Sequence, residues 1–135
     1  MPTRLYKTGF GTTDTPADIF TMFANPSTAS AYYAFYYSGV SFLVPTATSL
    51  YITKIQWSGN TTGSLQFRIH FGTTAIVNTT TVIAGDVQRT SNFDLAAINT
   101  IYTQETFIPI PALNYPHVVQ IGAGTLNILI SCINV

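Results

Sequence analysis

From residue 31 onward the chain alternates apolar and polar positions with a period of two, the pattern of strands that bury one face. Leu65, Phe67, Ile69 and Phe71 alternate with Gln66, Arg68 and His70, which predicts a half-buried strand. Leu50 to Trp57 reads as a second strand. Its apolar phase slips near Lys54, from Leu50 and Ile52 to Ile55 and Trp57, and a β-bulge produces such a slip. Leu126, Ile128, Ile130 and Cys132 line one side of the last strand and Leu129 and Ile133 the other. Apolar residues on both sides suit a central strand covered twice.

Turn residues separate these runs: Ser58 to Gly63, Gly72 to Ala75, Gly85-Asp86 and Gly122-Ala123-Gly124. Short strands are expected around residues 75–78 and 80–83. The Gly122 to Gly124 turn is expected to join residues 118–121 and 126–133 as a closing hairpin. Pro109 and Pro111 confine residues 105–111 to a sheet edge or a bulge. Leu95 to Ile98 is ambiguous and fits one helical turn. Seven to nine short strands at this spacing predict an all-β, single-domain β-sandwich, jelly-roll-like.

The first 30 residues break the pattern. Thr15-Pro16-Ala17-Asp18 resembles a helix start, with Thr15 as N-cap and Pro16 in the first helical position. Ile19, Phe20 and Phe23 then share a face at helical spacing, and Asn25-Pro26 ends the element. The expected organisation is an N-terminal arm with a short helix over 1–30 and a β-sandwich domain over 31–135. The apolar face of that helix either packs on its own domain or serves as a docking arm for a neighbour.

Charge changes the picture. Only 7% of residues are charged, against roughly 25% in an ordinary soluble domain. Disorder does not account for this, because 13% of the chain is aromatic. The formal net charge is zero. A near-neutral surface of Thr, Ser, Asn and Tyr loses little on desolvation and points to a homo-oligomer. A weakly charged extracellular-type β domain shares the same composition. Arg4, Lys7, Lys54, Arg68 and Arg89 are scattered, which argues against nucleic acid. No apolar run approaches membrane-spanning length. The opening residues lack a signal-peptide core, so assembly in a host cytoplasm and release within a particle is the expected route. The sequons at Asn60 and Asn78 are then not expected to carry glycans.

Candidate chemistry is sparse. The carboxylates are Asp14, Asp18, Asp86, Asp94 and Glu105, and none forms the facing pair that glycoside hydrolysis needs. His70 and His117 show no metal-ligand spacing and read as surface or interface histidines. Cys132 sits in the most apolar strand and reads as a buried, inert thiol. No metal, cofactor or catalytic residue is expected. The remaining candidates are Tyr32, Tyr33, Tyr36, Tyr37 and Trp57, since exposed Tyr and Trp mark protein interfaces and sugar platforms. The Tyr32 to Tyr37 run is aromatic on both alternating faces, so one face is expected to meet the core and the other a neighbouring subunit or a glycan.

The run Phe42-Leu43-Val44-Pro45-Thr46-Ala47-Thr48-Ser49-Leu50-Tyr51-Ile52-Thr53-Lys54-Ile55, the strand at 65–71, Phe107-Ile108-Pro109-Ile110-Pro111 and residues 126–135 resemble small jelly-roll virion proteins of tailed phages, of the head decoration and head fibre types. The resemblance covers roughly residues 40–135. It implies a virion-surface role, homotrimers, capsid or other virion proteins as partners, and no catalysis. It transfers no individual functional residue. The expected function is therefore a non-enzymatic capsid decoration or fibre module, with a carbohydrate-binding or receptor-binding β-sandwich module as the alternative.

Overall fold

A computed structural model describes residues 19–37, 40–41 and 50–134. Among these the chain is all-β, with two antiparallel sheets and no helix. The strands are β1 Ile19–Ala24, β2 Tyr32–Ala34, β3 Tyr36–Tyr37, β4 Val40–Ser41, β5 Leu50–Gly59, β6 Gln66–Gly72, β7 Asn78–Thr79, β8 Val87–Gln88, β9 Tyr102–Ile110, β10 Tyr115–Ile121 and β11 Leu126–Asn134. One sheet runs β4-β3-β1-β11-β5-β9 and the other β7-β2-β10-β6-β8.

The pairing is nested. β1 pairs with β11, β2 with β10, β5 with β9 and β6 with β8. Each early strand thus meets a late one, and the β11–β5 and β10–β6 pairs stitch the set into two sheets. Their inner faces share one core. Met22, Ile52, Ile55, Ile128 and Ile130 come from the first sheet, and Phe67, Ile69, Phe71 and Val118 from the second. Each such side chain contributes about 1.5–3 kcal/mol on burial, so the shared core holds the sheets together in a β-sandwich-like arrangement.

The bulge expected near Lys54 is present. The register of β5 against both β11 and β9 shifts between Ile52 and Lys54, and Thr53 Oγ1 donates to Ser131 O at 3.2 Å. The extra residue lets Ile52 and Ile55 both face inward. β9 is an edge strand, as Pro109 requires.

Other expectations are corrected. Ile19, Phe20 and Phe23 lie in β1, a strand held between β3 and β11, not on a helix; Thr15 to Asp18 fall outside the described residues. Met22 and Ala24 are buried while Thr21 and Phe23 are exposed, which is strand alternation. The main-chain partners that β11 offers outweigh a weak local helical preference. Residues 118–121 and 126–133 do not form a hairpin, because β10 and β11 belong to different sheets. Gly122, at φ 74°, and Gly124, at φ 137°, carry the chain across. Residues 95–98 form bends and a turn, not a helical turn. Strand structure in the 73–92 stretch is limited to the two-residue pieces β7 and β8.

Candidate functional site

The aromatic run Tyr32 to Tyr37 is double-faced because the chain changes sheets within it. β2 belongs to one sheet and β3 to the other, and Phe35 between them is fully buried. Tyr33 packs on the core, and its hydroxyl accepts hydrogen bonds from the Ser27 and Thr28 amides at 3.1 and 2.8 Å. Tyr32 meets the His70 ring edge-on at 5.8 Å. Tyr36 packs near Phe23, with ring centroids 6.4 Å apart. Tyr37 is placed by its backbone in β3, as Ile19 and Phe20 are in β1. Trp57 is only 8% exposed. It stacks on Tyr102, packs against Phe67 and Phe93, and donates its indole N–H to Asp94 O at 2.9 Å. Trp57 and Tyr33 thus pack on the core, and Trp57 also lines the groove beside Phe23.

The outer face of the six-stranded sheet is more apolar than the sequence alone revealed. Cross-strand register aligns Tyr36, Phe23, Leu129 and Gln56 in one row across β3, β1, β11 and β5. Phe23 is 45% exposed and Leu129 39%. A second cluster lies toward the β9 edge, where Tyr51 stacks on Phe107 at 4.4 Å and Phe107 remains 63% exposed. Ile133 pairs with Tyr51 beside it. Lys54 and Glu105 face each other across β5 and β9. A groove of ≈ 370 Å³ opens beside Phe23, between Ile101, Asn127 and Leu129.

The second feature was not legible in sequence and corrects the assignment of both histidines to the surface. His70 is 6% exposed and His117 fully buried. They face each other across β6 and β10 on the outer side of the five-stranded sheet, and Asp86 sits between them. His117 Nδ1 lies 2.9 Å from Asp86 Oδ1 and His70 Nδ1 3.3 Å from Oδ2. Arg68 Nε donates to His70 Nε2 at 2.9 Å. A guanidinium can only donate, so Nε2 is the acceptor in this contact. Tyr115 stacks along the His117 ring at 6.1 Å.

Two backbone features deliver the carboxylate. Gly85 adopts φ 79° in the turn closed by Asp86 N to Ile83 O at 3.2 Å, a conformation glycine takes without strain. Gly72 leaves space where a Cβ would overlap Asp86 Oδ1. Burial raises the Asp86 pKa, but hydrogen bonds and positive charge from His117 and His70 outweigh it and hold the carboxyl below its ordinary value.

Within the cluster, His117 Nε2, His70 Nδ1 and Asp86 Oδ2 are buried without a hydrogen-bond partner among the described residues. Metal binding through His70 Nδ1 would require the proton on Nε2, against the Arg68 donor. Among the described residues no group of three or more His, Cys, Asp or Glu side chains is arranged to hold a metal ion. Asp94 is engaged by Gln66, away from Glu105 opposite Lys54. Burial pushes the Cys132 thiol pKa well up. Gln120, buried and unremarked in the sequence, donates from Nε2 to Gly122 O and Gly124 O at 3.0 and 2.8 Å, clasping the crossing between sheets.

Comparison with protein-family models, with curated proteins and with solved structures found no match.

Proposed function

We propose that this chain is a non-enzymatic structural subunit of a virion surface, a capsid decoration or fibre module of jelly-roll type that assembles by contacts between copies. The nested pairing supports the jelly-roll reading, since a long antiparallel ribbon rolled into two sheets places first strand beside last and second beside second-to-last. Fold alone does not assign function.

The observation that carries the functional reading is the apolar outer face of the six-stranded sheet. Phe23, Leu129 and Phe107 stand exposed there, with Tyr36, Tyr51 and Ile133 alongside. Exposed apolar patches of this kind mark interaction surfaces. The occupant is a second copy of the chain. The described face carries one cation and one anion, Lys54 and Glu105, as cross-strand neighbours. Its other polar residues, among them Thr21, Gln56, Asn127 and Ser131, are neutral. Two such faces meet without net repulsion and with little charge to desolvate. The resemblance to tailed-phage head proteins adds a homotrimer as the expected assembly and the capsid as a second partner. The carbohydrate-binding alternative loses support with the burial of Trp57.

Sedimentation velocity over the micromolar range tests the assembly. A stable or concentration-dependent oligomer is expected, and a single monomeric species throughout contradicts the proposal.

A further inference from the structure

We infer that Phe107 of one copy of this chain seats in the groove beside Phe23 of a second copy, joining the β9 edge of one six-stranded sheet to the β1–β11–β5 face of another. The inference rests on the proposal above that copies meet through this sheet, and it names the two parts that touch.

The groove sets what can fill it. Phe23, Ile101 and Leu129 form its walls, and Asn25, Gln56 and Asn127 line it beside them. No ionisable side chain lines it, so a charged occupant would lose its hydration and gain no counter-charge. The amides engage one another and the neighbouring strand. Asn25 Nδ2 donates to Asn127 Oδ1, and Gln56 Nε2 to Thr103 Oγ1 at 3.5 Å. The walls between them are apolar, and a hydrocarbon group covers such surface favourably. The volume of ≈ 370 Å³ lies at the small end of the roughly 300–1,000 Å³ of ligand sites. It suits a large side chain rather than a whole strand or helix.

Among the described residues, Phe107 is the knob on this sheet that matches. The other exposed large apolar side chains are Val77, Val82 and Val87 on the 73–92 segment, Ile98 ahead of β9 and Leu113 in the β9–β10 turn, while Phe23, Ile101 and Leu129 line the groove itself. Phe107 is 63% exposed on the outer face of β9, an edge strand. Its ring stacks on Tyr51 at 4.4 Å with the planes 12° apart. That stack holds the ring in place, so association costs it little further rotamer freedom. Glu105, two positions earlier on β9, is faced by Lys54 on β5, so the knob arrives with no net charge. Its own groove is out of reach. Thr103 stands opposite Gln56 at the groove, and Phe107 lies further along β9 by roughly 13 Å at the usual strand rise. A second copy therefore fills the groove. The pair of residues is the same in a closed dimer, where each copy gives one knob and receives one, and in a ring.

The test is site-directed cross-linking of the full chain, with the knob kept intact. Pro109→Cys marks the knob and Asn127→Cys the groove, both at exposed positions. Cys132 is buried, with its thiol pKa pushed well up, and does not compete. Within one copy the two marks lie roughly 26 Å apart along the strands, beyond the span of a short bismaleimide. The double-cysteine protein, and an equal mixture of the two single-cysteine proteins, should give covalent multimers on a denaturing gel. Each single-cysteine protein alone should stay at monomer mass. Adding Phe107→Ala to the double-cysteine protein should cut the yield about tenfold, as loss of a central aromatic anchor does. Cross-linking of either single-cysteine protein to itself, with none between the two marks, would overturn the inference and leave the assembly standing. Multimers formed in full without the Phe107 ring would overturn it as well. A wild type that light scattering shows to be monomeric would remove the assembly and the inference together.

Discussion

His117 Nδ1 and Asp86 Oδ1 stand 2.9 Å apart although 31 positions separate them in sequence, and both side chains are sealed from solvent. His117 hydrogen-bonds one carboxylate oxygen and His70 Nδ1 lies 3.3 Å from the other, so the buried charge and the buried imidazoles support each other. Removing one member therefore leaves the others buried without partners, a larger penalty than the net value of the contact itself.

Asp86→Ala is expected to destabilise the protein by about 3 kcal/mol, the range for breaking a buried charged network by deleting one partner. Gly72→Ala should act in the same direction without removing any polar group, because its new Cβ would lie 2.1 Å from Asp86 Oδ1. Urea unfolding checks both, and a loss below about 0.5 kcal/mol in each would mean that the cluster contributes little.

The acid dependence follows from the lowered pKa of Asp86. A carboxyl depressed in the folded state contributes stability that is complete above its unfolded pKa and is lost as pH falls through the folded value. The stability difference between the wild type and Asp86→Asn should therefore be largest near neutrality and shrink through the acid carboxylate range. Denaturant midpoints measured for both proteins across that range check this, and a difference that stays constant would contradict it.

Trp57→Phe keeps an aromatic ring in the core but removes the indole donor to Asp94 O. It should cost about 1–2 kcal/mol, for a lost buried hydrogen bond and reduced packing. It should change self-association little, since Trp57 lines the groove beside Phe23 but is only 8% exposed. Thermal unfolding and sedimentation of the variant check the two parts separately.

What could be read from the sequence was local or periodic. The slip at Lys54 announced the bulge, Pro109 announced an edge strand, and the inward set Leu126, Ile128, Ile130 and Cys132 follows from simple alternation. The failures concern partners distant in sequence. Ile19 to Ala24 is a short apolar run that either helix or strand can use, and only its pairing with β11 decides. The glycines at 122 and 124 signal a turn, but not whether it returns within one sheet or crosses to the other. Both faces of Tyr32 to Tyr37 are aromatic because the chain switches sheets at Phe35, which no period-two pattern reports. Of the candidate contact residues, Tyr36 and Phe23 lie on the exposed face, and Trp57, mostly buried, lines the groove beside them. His70, Asp86 and His117 meet only through the β6–β10 register and the turn at Gly85, so no spacing motif marks them.

The most direct test of the proposed assembly is the mass in solution, by light scattering at micromolar concentration, of the wild type and of a Phe23→Thr, Leu129→Thr double variant. Both positions face outward on adjacent strands, and Thr retains strand preference, so the fold should persist. The expected result is an oligomeric wild type, a trimer by the resemblance, and a folded double variant shifted to monomer. A monomeric wild type, or an oligomer unaffected by the two substitutions, would contradict the assignment of this sheet face as the contact between copies.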